Sequence, residues 1–208
     1  MTDSIVIGGG VIGLSIAYEL ARNGQRVQLL DRQQIGQEAS WAGAGILPAP
    51  CHVEQVPAWK KLQALSYHLH PNWSEQLAAE TGIRNGYRIC GGLHLARLPG
   101  EAAALRADAV EWVEDGVKVE ALENSQALSR IEAQLVLDQA ELSAAYYLQE
   151  EAQIRNPHHL KALSAACRLH GVEVLEGKAV QKLCVTNNRI TAVVTEQSTY
   201  EAQNIILA

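Results

Sequence analysis

"SIVIGGGVIGLSIAYELARNGQRVQLLDR", Ser4 to Arg32, decides the fold. Residues 4–7 read as a short strand buried on both faces. After three glycines, Ile12, Leu14, Ile16, Ala17, Leu20 and Ala21 recur at helical spacing. Gly24 is a natural helix stop. "RVQLLDR" then gives a second strand ending at Asp31. Strand, helix and strand within about 30 residues form a βαβ unit, whose crossover makes the two strands parallel.

Gly8-x-Gly10-x-x-Gly13 sits where the first strand becomes the helix. Gly8 permits the tight turn, Gly10 lets a pyrophosphate approach bare backbone, and Gly13 lets the helix lie close to the sheet. The helix N-terminus adds free N–H groups and partial positive charge. Asp31, 18 residues after Gly13, can accept both hydroxyl hydrogens of an adenosine ribose. Dinucleotide binding is the reading that uses all of these features together; glycines that merely serve a turn would leave Asp31 unexplained.

The 208 residues suffice for one large domain or two small ones, and 48% hydrophobic residues allow a sizeable core. A net charge of −6 argues against nucleic acid as a partner. Cys51, Cys90, Cys167 and Cys184 make no C-x-x-C pair, so no zinc site is expected, and reduced thiols in the cytoplasm are the default. The start "MTDSIVIGGG" has no basic leader region, and no apolar run is long enough to span a membrane.

"SWAGAGILPAP", Ser40–Pro50, bears on the choice between FAD and NAD. An NAD-binding domain usually runs from its second strand to another helix and strand. Here a segment with little secondary-structure signal intervenes. Gly43, Ala44 and Gly45 suit close packing against a flat ring or phosphates, and Ser40 can donate a hydrogen bond. The alternative is an ordinary glycine-rich loop.

With these motifs in view, the chain resembles the D-amino-acid oxidase superfamily of flavoproteins, and within it the glycine oxidases of thiamine biosynthesis. The likeness rests on residues 4–32 and on "ASWAGAGIL", Ala39–Leu47. "YRICGGLHLA", Tyr87–Ala96, resembles the first hairpin of that family's substrate domain. "QIRNPHHLKALSAACRLHGVEV", Gln153–Val174, resembles the helix that returns the chain to the cofactor domain. The resemblance implies FAD as cofactor. It matches Gly8, Gly10, Ile12 and Gly13 to the pyrophosphate loop and Asp31, with Arg32 beside it, to the adenosine ribose. It matches Ser40, Gly43, Ala44, Gly45 and Ile46 to the loop along the flavin, and Val180 to a backbone contact with adenine. Trp41 departs from the family's small residue and receives no role.

The implied fold class is α/β: a Rossmann-like FAD-binding sheet with a three-stranded β-meander and part of an inserted α+β substrate domain. The expected division is 1–45 and 151–208 for the cofactor domain and 46–150 for the substrate domain. Within the inserted part, a helix is expected over 57–81 with a break at His70–Asn72. "YRICGGLHLAR" reads as a hairpin, with Gly91-Gly92 at the turn or a bulge. Helices are expected over 101–115 and 125–133, the latter capped by Ser125, and strands over 118–122 and 133–138. Asn156 reads as the N-cap of the next helix, with Pro157 in its first turn. His158 and His159 read as solvated, as do Glu150 and Glu151 on a helix surface. His52 is a candidate for the substrate pocket; His68 and His70 do not share a helix face and suggest no metal.

The resemblance further implies hydride transfer from the α-carbon of a neutral amine to the flavin. The resulting imine is hydrolysed, and O2 is reduced to H2O2. The amine belongs to glycine, sarcosine or a D-amino acid, and no catalytic side chain is assigned. The family's substrate-binding arginine and tyrosine lie in a later portion that this sequence does not contain. Two alternatives follow: a non-catalytic FAD-binding fragment, and an NAD-dependent dehydrogenase. An incomplete sheet exposes an apolar edge, which favours association into a homo-oligomer.

Overall fold

The computed structural model describes residues 2–135 and 142–208. They divide into two compact units: Met1–Gly45, Trp73–Gly86 and Arg155–Ala208 form the first, and Ile46–Asn72 with Tyr87–Ile154 form the second. Residues 73–86, expected in the inserted stretch, cluster with the first unit.

The first unit is built on β1 (Thr2–Ile7), α1 (Val11–Arg22) and β2 (Val27–Leu30). β1 and β2 pair in parallel, Ser4 opposite Val27 and Ile7 opposite Leu30. Side chains alternate across the sheet. Val6 and Leu29 join Leu14, Ala17 and Tyr18 of α1 on one face, while Ile5 and Leu30 join Val193 on the other. Each fully buried leucine of this set contributes roughly 1.5–3 kcal/mol. Asn23 closes α1, and Gly24 turns the chain at φ +82°.

A short helix, α2 (Ala39–Ala42), and a two-residue strand, β3 (Ile46–Leu47), occupy the glycine-rich segment where little regular structure is expected. The long helix α3 (Ala58–Thr81) runs through Pro71 without the expected break. Pro71 donates no N–H toward the Tyr67 carbonyl, yet the helix continues through it to Thr81.

In the second unit, β4 (Arg88–Ile89) and β5 (Gly92–Ala96) are followed by α4 (Pro99–Glu114), β6 (Val119–Ala121), α5 (Ser125–Ile131), β7 (Ala144–Leu148) and β8 (Ala152–Gln153). The expected hairpin at Gly91-Gly92 does not form. β4 pairs with β8, and β5 pairs with β7. Gly91 lies at φ +71°, with Tyr147 filling the space a side chain would take, and Glu151 fills the corresponding space at Gly92. The glycines therefore redirect the chain between two sheets. Asn124, not Ser125, caps α5: its Oδ1 accepts from the Ala127 N–H at 2.8 Å. Of the strand expected over 133–138, residues 136–138 lie outside the described residues, and Ala133 and Gln134 form a turn. β7 has no counterpart in the sequence reading; "AAYYL" is too short and too mixed to stand out. Glu150 and Glu151 lie in the turn between β7 and β8, not on a helix, and Glu151 is buried.

Back in the first unit come α6 (Asn156–Leu169), β9 (Glu173–Leu175), β10 (Val180–Thr186), β11 (Arg189–Thr195) and β12 (Thr199–Leu207). The sheet order is β10-β11-β12-β1-β2-β9. β10, β11 and β12 are the expected antiparallel meander, turned at Asn187 and Asn188, both at positive φ. β12 enters the sheet parallel to β1, and β9 pairs parallel to β2. α6 buries Leu160, Ala162, Leu163, Ala166 and Cys167 in the core shared with α1. His159 is 5% exposed, and Asn85 lies 3.2 Å from its Nδ1. His158 is half-buried, its Nδ1 3.3 Å from the Arg84 carbonyl oxygen. His159 is thus not solvated as expected, because the chain at 84–85 packs on the first turn of α6, whereas His158 keeps part of its surface open.

Candidate functional site

The carboxyl end of β1 carries the site. The Gly8 N–H donates to the Leu30 carbonyl at 2.8 Å, so the chain leaves the sheet only after that bond. Gly8 then turns at φ +110°, and a side chain there would strike the Ala208 carbonyl. A side chain on Gly13 would occupy the position of the Gly8 carbonyl oxygen. The turn and the helix start thus close on each other with no room for a Cβ, as the spacing predicts.

Gly9 is the residue the motif leaves unspecified, and the structure gives it a task. Its N–H donates to Asp31 Oδ2 at 2.6 Å. It is buried, and a Cβ would collide with Ile35. The run of three glycines was the available signal. Asp31 Oδ1 accepts a second bond from the Gln33 N–H at 2.7 Å. The Asp31 backbone is clamped on both sides, by Leu175 O and by the Lys178 N–H at 2.7 Å. The carboxylate therefore faces the glycine turn from the end of β2, half-buried and held from three directions. Val180 opens β10 two residues beyond Lys178 and packs on the Ile5–Leu30 face. Arg32 is exposed, and nothing in the structure gives it a partner-specific position.

At the first turn of α1, Val11, Ile12 and Gly13 have N–H groups with no intrahelical acceptor. Ser40 Oγ accepts from the Val11 N–H at 3.0 Å. The Ser40 carbonyl in turn accepts from Asn156 Nδ2 at 3.1 Å. Asn156 is the first residue of α6, and Arg155 is the N-cap, so the expected capping role is wrong: the amide side chain reaches across to α2 instead. Gly43 and Ala44 are exposed and Gly45 turns at φ +76°. Ile12 is 63% exposed on the open side of the helix start, and Ile46, in the second unit, is exposed as well. Trp41 packs against the α1–α6 core, with the Lys161 ammonium over its ring.

These residues fit an FAD pyrophosphate and ribose. Gly8, Gly9 and Gly10 present backbone only, and at Gly10 a Cβ would meet nothing closer than Ser40 Oγ at 3.1 Å. No acidic side chain lies in the first turn of α1 to repel phosphate. Two N–H groups, those of Ile12 and Gly13, point from a positive helix end. Asp31 keeps lone pairs for two hydroxyls after its two backbone bonds. Beneath the turn, burial pushes the Tyr18 hydroxyl up to about 12, aided by the neighbouring Glu80 carboxylate. Burial likewise pushes the Cys167 thiol up to about 12. Both are packing groups of the α1–α6 core at neutral pH, not proton carriers.

The second unit carries its own polar cluster. Lys60 Nζ bonds Asp115 Oδ2 at 2.6 Å and Glu111 Oε1 at 2.7 Å. His94 Nε2 lies 2.9 Å from Glu151 Oε1 with the Trp112 ring 4.8 Å away, centroid to centroid. The Glu151 hydrogen bond holds the His94 imidazolium above its ordinary range, against the opposing effect of burial. His52 Nε2 lies 3.1 Å from Glu150 Oε2. Among the described residues no group of histidine, cysteine and acid could hold a metal, and no helix is long and apolar enough to cross a membrane.

Residues 3–208 match the family model of FAD dependent oxidoreductases. A glycine oxidase of Pseudomonas putida is 30% identical over 98% of this chain and 54% of its own length. A bifunctional protein ThiO/ThiG of Synechocystis is 28% identical over 100% of this chain and 29% of its own. A crystal structure of glycine oxidase from Geobacillus kaustophilus superposes with TM-score 0.87 at 29% identity, over 99% of this chain and 54% of that one. The chain thus spans about half the length of the glycine oxidases it matches.

Proposed function

This chain belongs to the FAD dependent oxidoreductase family, and from that premise we propose that it is the cofactor-gripping half of a small-amino-acid oxidase. The observation that carries the proposal is the bond from the Gly9 N–H to Asp31 Oδ2 at 2.6 Å. It sets a carboxylate against a bare-backbone turn at a helix N-terminus. In this reading the Ile12 and Gly13 N–H groups hold the pyrophosphate, and Asp31 holds the adenosine ribose. Ser40, Gly43, Ala44, Gly45 and Ile46 run beside the remainder of the FAD, and Val180 lies at the adenine. Bound FAD supplies the hydride acceptor, the hard step of such chemistry. The protein's share is orientation and exclusion of water. The substrate is a primary or secondary amine of glycine, sarcosine or a D-amino acid, converted to an imine with O2 taken to H2O2.

A second reading, a non-catalytic FAD-binding fragment, is favoured by the half-length span. One experiment separates the two. The purified chain is mixed with FAD, and the flavin visible spectrum is followed by peroxide release with glycine. Bound flavin with turnover supports the oxidase. Bound flavin without turnover supports the fragment. No flavin binding contradicts both.

A further inference from the structure

We propose that Asn156 is a positioning residue for the cofactor, acting through Ser40 on the start of α1; the inference rests on the FAD reading above. Three observations meet at this residue. Asn156 spends its amide on the Ser40 carbonyl at 3.1 Å instead of capping its own helix. Ser40 spends its hydroxyl on the Val11 N–H at 3.0 Å. Gly43 lacks the Cβ that would fall on Asn156 Nδ2. Asn156 therefore fixes the height of α2 above the glycine turn, and α2 sets which first-turn donors stay open. With Val11 occupied, the phosphate is directed to the Ile12 and Gly13 N–H groups, and the chain at Gly43–Gly45 is held alongside. Loss of the amide frees α2 to shift and lets the Val11 N–H compete for the same anion.

Both the apo chain and its FAD complex are needed for the test. FAD dissociation constants and apo unfolding midpoints are measured for the wild type, Asn156→Ala, Gly43→Ala and the double variant. Asn156→Ala is expected to weaken FAD about tenfold, measured where the apo chain is still folded, with a modest fall in the apo midpoint because the same bond is present without FAD. Gly43→Ala alone weakens FAD by a similar factor, because its methyl displaces the Asn156 amide. In the Asn156→Ala background the methyl has room, so the double variant is no worse than either single one. Asn156→Gln, which keeps an amide at a longer reach, recovers part of the affinity. Unchanged FAD affinity in Asn156→Ala overturns the proposal. So does strict additivity of the two substitutions. Failure of the wild type to bind FAD sinks the functional reading itself, and is thereby distinguishable from failure of this inference.

Discussion

The polar groups that stand out in the two units differ in kind. In the first, the candidate site is almost entirely main chain: Gly8, Gly9, Gly10 and Gly13 supply shape, and N–H groups supply charge. In the second, the polar groups are side chains facing side chains, with Lys60 between Glu111 and Asp115 and His94 against Glu151. A backbone site works because no side chain is there, so its residues cannot be traded for similar ones. A side-chain pair can be exchanged for another pair of matching charge and reach, which a bare-backbone turn does not permit. The contrast makes the site of the first unit brittle toward a single methyl group, while side-chain pairs give each unit a pH response of its own.

The largest effect should come from Gly13→Ala. A methyl there falls on the Gly8 carbonyl, so the helix start must move off the sheet, at a cost of about 1–3 kcal/mol in stability. FAD affinity should drop by about a hundredfold or more as the phosphate donors leave their positions. Fluorescence titration measures the affinity, and thermal unfolding the stability. An FAD affinity within a few-fold of wild type would erase the distinction between the units.

Next in size is thiol reactivity. Cys167 is buried in the α1–α6 core with its thiol pushed up to about 12, whereas Cys90 in the second unit is exposed. A disulfide reagent on the native chain should modify the exposed Cys90 well before the buried Cys167. Peptide mapping after timed quenching reads the order. Early labelling of Cys167 would mean that the first unit opens readily.

The pH response should divide the units by direction. His94 has a raised pKa because Glu151 hydrogen-bonds its charged form; Asp108 adds to this, and Trp112 flanks the ring. A raised folded value means the stabilisation is complete below the ordinary 6.5 and is lost as pH rises through the folded value. The second unit should therefore weaken as pH rises above the ordinary 6.5 and through the raised folded value. His94→Ala should remove that slope and destabilise the second unit at the acid end, because the buried Glu151 carboxylate loses its partner. The smallest effect belongs to Asp3, whose carboxyl is lowered to about 2 by its hydrogen bond to Arg26. A lowered value means stability is present above the ordinary 3.8 and lost as pH falls through about 2. Asp3→Asn should flatten the acid limb of the first unit alone. Hydrogen exchange resolved by segment follows both limbs.

What the sequence made legible follows the same divide. β1, α1, β2 and the meander were readable because glycine spacing, helical period and the paired asparagines at 187 and 188 leave local marks. Asp31 was readable because a strand end is a position. Gly9 escaped, since the motif counts only alternate glycines, and its partner carboxylate is 22 residues away. Asn156 was read as a cap because Asn-Pro is the local signature of one; its actual acceptor, Ser40, is 116 residues distant. Gly91-Gly92 looked like a hairpin because the residues that occupy its space, Tyr147 and Glu151, lie far along the chain. In each case long-range packing overrode a local rule that was chemically sound.

The most direct measurement is displacement of bound FAD from the 208-residue chain by its two halves. If the glycine turn and Asp31 grip the ADP moiety, ADP displaces FAD and FMN does not, and Asp31→Asn weakens FAD and ADP by the same factor. Displacement by FMN but not ADP, or an Asp31→Asn chain that binds both as the wild type does, would contradict it.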